Sequence, residues 1–486
     1  MSNILFVGSE CDPFVKTGGL ADVMSALPKA LAKQGDIDVR VIMPNYTCIP
    51  ATYRNNMKYI THFYMDFTRD HTMYHVGVME YWWGGVRFYF VDNTHFFGKG
   101  NPYTTMAGDI IPFIFFSKAV LAIMPVLGFK PDIIHCHDWQ AALVPVYLHT
   151  LYKDNDFYRG TKTILTIHNL RFQGIANIDT VRYYSDLPEH VFRADQMEFN
   201  SDANIMKAGI VYSTYVTTVS NSYAGEIRTA EYGEGLNGVI NNYSYKLAGI
   251  VNGIDYDVYD PRTDGYIYDR YSIDNFADAK RWNKEKLQRE LGLEQDVNKF
   301  MIGIISRLTD QKGLDLVNAA MNRIVDAHTQ VVIIGTGDKW YEDSFRYYEN
   351  YHKGRVCSNI MYSNERAHKL YAAADAILVP SRFEPCGLTQ LIAMRYGTVP
   401  IVRETGGLRD TVQAYNGFEH TGTGFSFYDY NADTMLGVIN YAKQIFFDDR
   451  FGWEGIARRD MQADFSWYRS AGDYRNIYNM LIYDWK

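Results

Sequence analysis

From Lys299 onward the chain alternates short, almost wholly apolar runs with segments of helical length: "KFMIGIIS", "QVVIIGTG", "NIMYSN", "DAILVPS" and "TVPIVRE". Strands with no polar face must be covered on both sides, and parallel neighbours need a crossover of a dozen or more residues between them. That pattern predicts a doubly wound parallel sheet with helices on both faces, and it excludes a helical bundle or an all-β barrel. The first half repeats the theme with Ile4 to Val7, "DVRVIMP", "PDIIHCHDW", "TKTILTIHN" and "YVTTVSN". It is broken by "YHVGVMEYWWGGVRFYFVDN", two strand-like runs about Gly84 and Gly85 that read as a hairpin inserted into the layout.

A chain of 486 residues exceeds what one hydrophobic core usually serves. The polar, turn-rich stretch "VNGIDYDVYDPRTDGYIYDRYS" marks the boundary. The expected fold class is α/β: two Rossmann-like domains facing each other across a cleft, at residues 1–250 and 251–463, followed by a helix over 464–486. Ligands of doubly wound sheets bind in the loops beyond the carboxyl ends of the strands, so those loops carry the functional reading.

A net charge of −8 argues against a broad nucleic-acid-binding face and leaves room only for a small anionic ligand. Five scattered cysteines suit a reducing compartment better than a disulfide framework. "MSNILFVGSE" has neither the basic region nor the apolar length of a signal peptide or membrane span. The expectation is a cytoplasmic protein without membrane attachment, or a plastid one if the chain is of processed plant type.

Five loops stand out. In "KTGGLADV", Lys16, Gly18 and Gly19 follow the first strand and open a helix, which suits a phosphate or polyhydroxylated anion and equally suits a glycine turn with a solvated lysine. It matches neither the dinucleotide fingerprint nor the Walker loop, because no G-x-G-x-x-G follows the strand and the lysine precedes the glycines. "SRLTDQKG" places Arg307 and Lys312 at one strand-to-helix corner, a two-cation clamp for a diphosphate. Gly335 and Gly337 of "GTG" form a tight loop suited to a base or ribose. In "PSRFEPCGLTQL", Glu384 precedes Gly387, where a carboxylate can bind sugar hydroxyls or support a cationic transition state. "ETGGLRDTV" repeats a glycine pair before a helix. Elsewhere, His135 and His137 lie two apart on a strand and so on one face; with no cysteine or carboxylate at ligand spacing, hydrogen-bonding histidines are the better reading than a metal pair. The "DYD" at 255–257 is too short a pattern to carry a metal site.

"KTGGLADV", "HCHDWQAAL", "TIHN", "VNGID", "SRLTDQKGLD" and "PSRFEPCGLTQL", in this order and across nearly the whole chain, resemble the motif set of bacterial glycogen synthases and plant-type starch synthases. The resemblance implies the glycosyltransferase B architecture, with the last helix crossing back to the first domain. It also implies transfer of glucose with retention from a nucleotide sugar, usually ADP-glucose, to the 4-hydroxyl at the non-reducing end of an α-1,4-glucan. By that resemblance Lys16, Gly18, Gly19, Asn252, Arg307, Lys312, Gly335 and Gly337 would contact the donor, together with Cys386, Gly387, Leu388 and Thr389. Glu384 matches the family's essential carboxylate, with Lys312, Arg307, His168 and Asp138 beside the chemistry. Asp22, Asp138, His95 and Tyr103 match the acceptor side. Ile392 stands where many retaining relatives outside this family carry a second glutamate. No metal and no pyridoxal phosphate is expected. A UDP-glucose-using synthase, a glucan phosphorylase and a catalytically silent glucan-binding scaffold are the competing readings.

Overall fold

A computed structural model describes residues 2–484; Met1 and the last two residues of the expected 464–486 helix lie outside the described residues. The chain divides into two compact units, Met1–Asn252 with Trp467–Lys486, and Gly253–Ser466.

The first unit is built on a nine-stranded sheet. Its strands are β1 (Ser2–Val7), β2 (Ile37–Pro44), β3 (Lys58–Asp66), β4 (Met73–Trp83), β5 (Val86–Asp92), β6 (Ile133–His137) and β7 (Lys162–Ile167). After the short strands β8 (Ile175–Asn177), β9 (Glu198–Phe199) and β10 (Asp202–Asn204), which form a separate small sheet, come β11 (Tyr215–Thr218) and β12 (Leu247–Gly249). The large sheet runs β12-β11-β7-β6-β1-β2-β5-β4-β3. All strands from β12 to β5 are parallel.

The hairpin at Gly84 and Gly85 is present, with φ of 56° and 79° that let a two-residue turn follow the strand twist. It is not an insertion. Its second strand, β5, pairs in parallel with β2, and β4 and β3 continue the central sheet outward as antiparallel strands. The reading missed β3 because "KYITHFYMD" lies at a sheet edge and buries only Met65 fully, so it lacks an apolar face.

The helix Met106–Leu127 is long and apolar enough to cross a membrane, its window Ala107–Leu127 having a mean hydropathy of 2.2. Its Ile114, Phe115, Phe116, Val120 and Leu121 are fully buried in the unit, as in the core helix of a globular domain. The helix Trp467–Asn479 belongs to this unit too: Tyr474 and Tyr478 are buried, Ser470 Oγ donates to the Val251 carbonyl at 2.7 Å, and Arg475 pairs with Asp36.

The second unit has six parallel strands, β13 (Phe300–Ile305), β14 (Thr329–Ile334), β15 (Val356–Asn359), β16 (Ala376–Val379), β17 (Val399–Arg403) and β18 (Phe425–Phe427), in the order β15-β14-β13-β16-β17-β18. This is the doubly wound order, built outward in both directions from the first strand. One expected strand is displaced. "NIMYSN" contributes only its first residue, because Val356 and Cys357 fill the sheet beside β14 whereas Met361 and Tyr362 turn out to solvent.

Candidate functional site

Each sheet reverses its winding once. In the first unit the chain proceeds from β1 to β2 and β5 on one side, then from β6 to β7, β11 and β12 on the other, so the switch point lies between β1 and β6. In the second it lies between β13 and β16. The loops leaving these strands are where an open α/β sheet presents its ligand groups.

At the first switch point the loop after β1 is organised by a residue that sequence reasoning passed over. Glu10 is 2% exposed, and its Oε2 accepts from both the backbone N–H and the hydroxyl of Thr17 at 2.7 Å. Burial pushes its carboxyl up to about 7, against the lowering effect of those two donors. The same loop sets the Lys16 ammonium 2.5 Å from Asp22 and 3.8 Å from Asp12, and leads through Gly18 into the helix Gly19–Ala32. Ser9 Oγ lies 2.7 Å from the Tyr103 hydroxyl.

Across the switch point, β6 is followed by Asp138, which adopts φ 56°. This turn carries its carboxylate to the end of β7, where Oδ1 accepts from the His168 backbone N–H at 2.7 Å. Desolvation pushes Asp138 up to about 7, opposed by backbone N–H groups of His168 and Asn169. The His168 ring bonds through Nε2 to His137 Nδ1 at 2.9 Å, and burial pushes it down to about 3. His135 is engaged at both nitrogens, Nδ1 with the Tyr478 hydroxyl at 2.8 Å and Nε2 with Thr166 Oγ1 at 2.6 Å. Among the described residues no group of three or more His, Cys, Asp or Glu is placed to hold a metal ion. Asn252 closes this unit's strand ends after β12; it is buried, and its Oδ1 has no hydrogen-bond partner among the described residues.

The second switch point is built on charge. Glu384 is 7% exposed, and its Oε2 receives both Lys312 Nζ at 2.7 Å and Ser381 Oγ at 2.9 Å. Lys312 reaches it from the loop after β13, so a single ion pair ties the two strands flanking the switch point. Arg307, in the same loop as Lys312, is exposed, and its guanidinium makes no ion pair or hydrogen bond among the described residues. Backbone close-packing fixes the loops around Glu384. A Cβ on Gly406, whose φ is 45°, would lie 2.0 Å from the Glu384 carbonyl oxygen, and one on Gly335 would lie 1.9 Å from that of Ser306. Gln390 Nε2 donates to the Gly387 carbonyl at 2.8 Å and the Cys386 carbonyl at 3.1 Å, and Thr389 Oγ1 donates to the Ile305 carbonyl at 3.4 Å.

The description "starch synthase catalytic domain" fits residues 3–242, and "glycosyl transferases group 1" fits residues 283–444. A glycogen synthase of Lachnospira eligens is 53% identical over 481 residues, covering 99% of this chain and 100% of its own, and that of Lachnoclostridium phytofermentans matches to the same extent. The chain belongs to the glycogen synthase family. Among solved structures, the catalytic domain of starch synthase IV from Arabidopsis thaliana, bound to ADP and acarbose, superposes with a TM-score of 0.88 at 32% identity over 99% of both chains. Sucrose-phosphate synthase from Thermosynechococcus elongatus shares the fold, with a TM-score of 0.63 at 19% identity over 99% of both chains. The architecture is therefore that of a glycosyltransferase B enzyme with two Rossmann-like domains.

Of the residues that the glycogen synthase resemblance singled out, the first unit gathers Lys16, Gly18, Gly19, Asp22, Tyr103, Asp138, His168 and Asn252 on loops at the carboxyl ends of its parallel strands or bonded to them. His95 is exposed at the start of a four-residue helix after β5 and packs against Tyr74 and Phe96. The second unit gathers Arg307, Lys312, Gly335, Gly337, Glu384, Cys386, Gly387, Leu388 and Thr389 in the same way. Of the two cations read as a clamp, Lys312 is paired with Glu384, while the Arg307 guanidinium is exposed. Glu10, His137, Ser381 and Gln390 were missed as parts of the site. His137, Ser381 and Gln390 lie within the quoted motifs and Glu10 just before the first of them, but only the fold shows which atom each holds.

Proposed function

We propose that this chain transfers glucose from ADP-glucose to the non-reducing-end 4-hydroxyl of an α-1,4-glucan, with retention at the anomeric carbon, releasing ADP. The observation that carries the reading is Glu384, a buried carboxylate held at the switch point by Lys312 and Ser381 through one oxygen only. Its other oxygen remains for a sugar. The full-length likeness to glycogen synthases and the ADP and acarbose held by the starch synthase IV domain support the two substrates.

Departure of the diphosphate places negative charge on the leaving phosphate and positive charge on the anomeric carbon. An ammonium has three donors, so Lys312 can keep one on Glu384 and turn two toward phosphate oxygens, beside the Arg307 guanidinium. Glu384 then faces the developing cation as an orienting and stabilising carboxylate. The acceptor hydroxyl attacks from the face that the diphosphate leaves and gives its proton to a diphosphate oxygen, so the new bond keeps the configuration of the old one. His168 and Asp138 line the sugar side. The reaction so drawn calls on neither a metal nor pyridoxal phosphate, and undiminished turnover in EDTA checks the first of these. Five cysteines, none in a disulfide among the described residues, suit a reducing cytoplasm.

The deciding experiment measures nucleoside diphosphate release from ADP-glucose and from UDP-glucose, with and without glycogen, with Glu384→Gln as control. Glycogen-dependent release from ADP-glucose, abolished by the substitution, is expected. Release from UDP-glucose alone would change the donor, and glycogen binding without release from either would make the chain a scaffold.

A further inference from the structure

The residue behind His168 has a part in the reaction that the motif reading does not assign. His137 lies wholly inside the first unit, its ring in a three-ring cluster with Phe6, at 5.4 Å and 19°, and His135, at 4.3 Å and 27°, which also touch each other at 4.8 Å. It forms one hydrogen bond, Nδ1 to His168 Nε2 at 2.9 Å. Its Nε2 is buried and has no partner among the described residues. Burial drives both imidazoles below their ordinary range, so each carries one proton and one bare nitrogen.

Two arrangements satisfy the bond between the rings. If His168 donated from Nε2, His137 would accept at Nδ1 and carry its own proton on Nε2, burying an N–H with nothing to receive it. If His137 donates from Nδ1, the unpartnered atom is a bare nitrogen, and orphaned N–H groups are the rarer and costlier of the two inside proteins. The second arrangement leaves His168 Nε2 accepting, and therefore places the His168 proton on Nδ1. That nitrogen makes no hydrogen bond among the described residues. We propose that His137 is a positioning residue that holds His168 in the Nδ1-protonated tautomer, so that His168 presents a fixed N–H donor to a sugar oxygen.

The surroundings reinforce the constraint. The Asp138 carboxylate grips the His168 backbone N–H, and the Tyr478 hydroxyl, from the returning C-terminal helix, fixes His135, against which His137 stacks. The ring that sets the tautomer is thus clamped from an element more than 300 residues away in sequence, the His135 to Tyr478 separation being 343.

The inference rests on reading His168 as a sugar-side residue of a synthase, so its test has one arm independent of turnover. Nitrogen-15 NMR of histidine-labelled wild-type protein, with the His168 signals assigned by their loss in His168→Gln, reads the tautomer directly. A protonated Nδ1 and a bare Nε2 on His168 are expected; a protonated Nε2 overturns the proposal whether or not the protein turns over. In the kinetic arm, His137→Leu should lower kcat/KM for ADP-glucose with glycogen by about tenfold, the size expected from one neutral hydrogen bond. His137→Asn, whose amide can donate from near the Nδ1 position, should restore most of that loss. An unchanged kcat/KM in His137→Leu would also overturn the assignment. Should the leucine variant fail to fold, the asparagine variant and the wild-type spectrum still decide. An inactive wild type with the expected spectrum would refute the synthase reading and leave the tautomer assignment standing.

Discussion

The two switch points hold the same place in sheets of the same winding, yet they are chemically opposite. Around β1, β6 and β7 the deeply buried groups shift toward their neutral forms, Glu10 and Asp138 pushed up to about 7 and His135, His137 and His168 driven down, with the Lys16–Asp22 pair as the charged exception. Around β13 and β16 a buried carboxylate stays in an ion pair, with an exposed guanidinium in the adjoining loop. A shell of neutral donors and acceptors suits hydroxyl groups, which it can match without a desolvated charge. A shell of paired charges suits a diphosphate that gains charge as it leaves, beside a sugar that becomes cationic. On the proposed function, the first corner would serve the sugar hydroxyls and the second the diphosphate.

The largest test of that contrast is Glu384→Gln. Gln keeps the size and an acceptor for Lys312 and Ser381 but removes the charge. Turnover should fall by about 10²- to 10³-fold or more, the range for losing one preorganised transition-state contact, with the unfolding midpoint little changed. Comparing it with Lys312→Gln and the double variant should show strong non-additivity, since each single change also strands the other's charge. Additive losses would mean that the ion pair is not the unit of function.

The second test concerns rigidity. Gly406→Ala forces a Cβ against the Glu384 carbonyl in a backbone conformation that alanine avoids, and should cost on the order of 2–3 kcal/mol in urea unfolding. Gly225→Ala, in the first unit, has open space around its Cβ and an ordinary helical backbone, and should be neutral or slightly stabilising. Equal effects at both positions would remove the claim that close backbone packing holds the charged corner in place.

The doubly wound class was legible from β13, β14, β16 and β17 because strands buried on both faces read as unbroken apolar runs, whereas the three-residue edge strand β18 was not read. The loops were legible too, since glycine and cation follow strand in a fixed order. Edge strand β3 and the displaced β15 were not legible: an edge strand has no obligatory apolar face, and Ile360–Met361 looks like a strand while lying just beyond one. The pairing of Lys312 with Glu384, and of His137 with His168, spans 72 and 31 residues respectively. Spacing along the chain carries no trace of such contacts, which the strand order alone creates.

A pH-dependent effect probes the buried carboxyl of the first corner. Because the folded-state pKa of Glu10 lies near 7, above its ordinary 4.5, the native state prefers the protonated acid. Its contribution to stability is full at low pH and is lost as pH rises through about 7. Glu10→Gln, which keeps an acceptor for Thr17 and cannot ionise, should match wild type near pH 4 and exceed it by about 3 kcal/mol near pH 8 in urea unfolding. A constant difference at both pH values would mean that Glu10 is ionised throughout.

Asp460 supplies the control that separates burial from function. It sits on the helix Arg450–Gln462, 1% exposed, and both carboxylate oxygens lack a hydrogen-bond partner among the described residues. Burial pushes it well above the usual carboxylate range, with Arg459 opposing. Like Glu10 it therefore destabilises the fold as pH rises above its unfolded value of 3.8. Unlike Glu10 it holds no loop and lies on no strand end. Asp460→Asn should raise stability near pH 8 by about 1 kcal/mol, the asparagine still costing something to bury. It should leave turnover unchanged, and the gain should vanish near pH 4. A loss of turnover would show that a desolvated carboxyl away from the switch points also serves the reaction, and the contrast between the two corners would then reflect burial rather than chemistry.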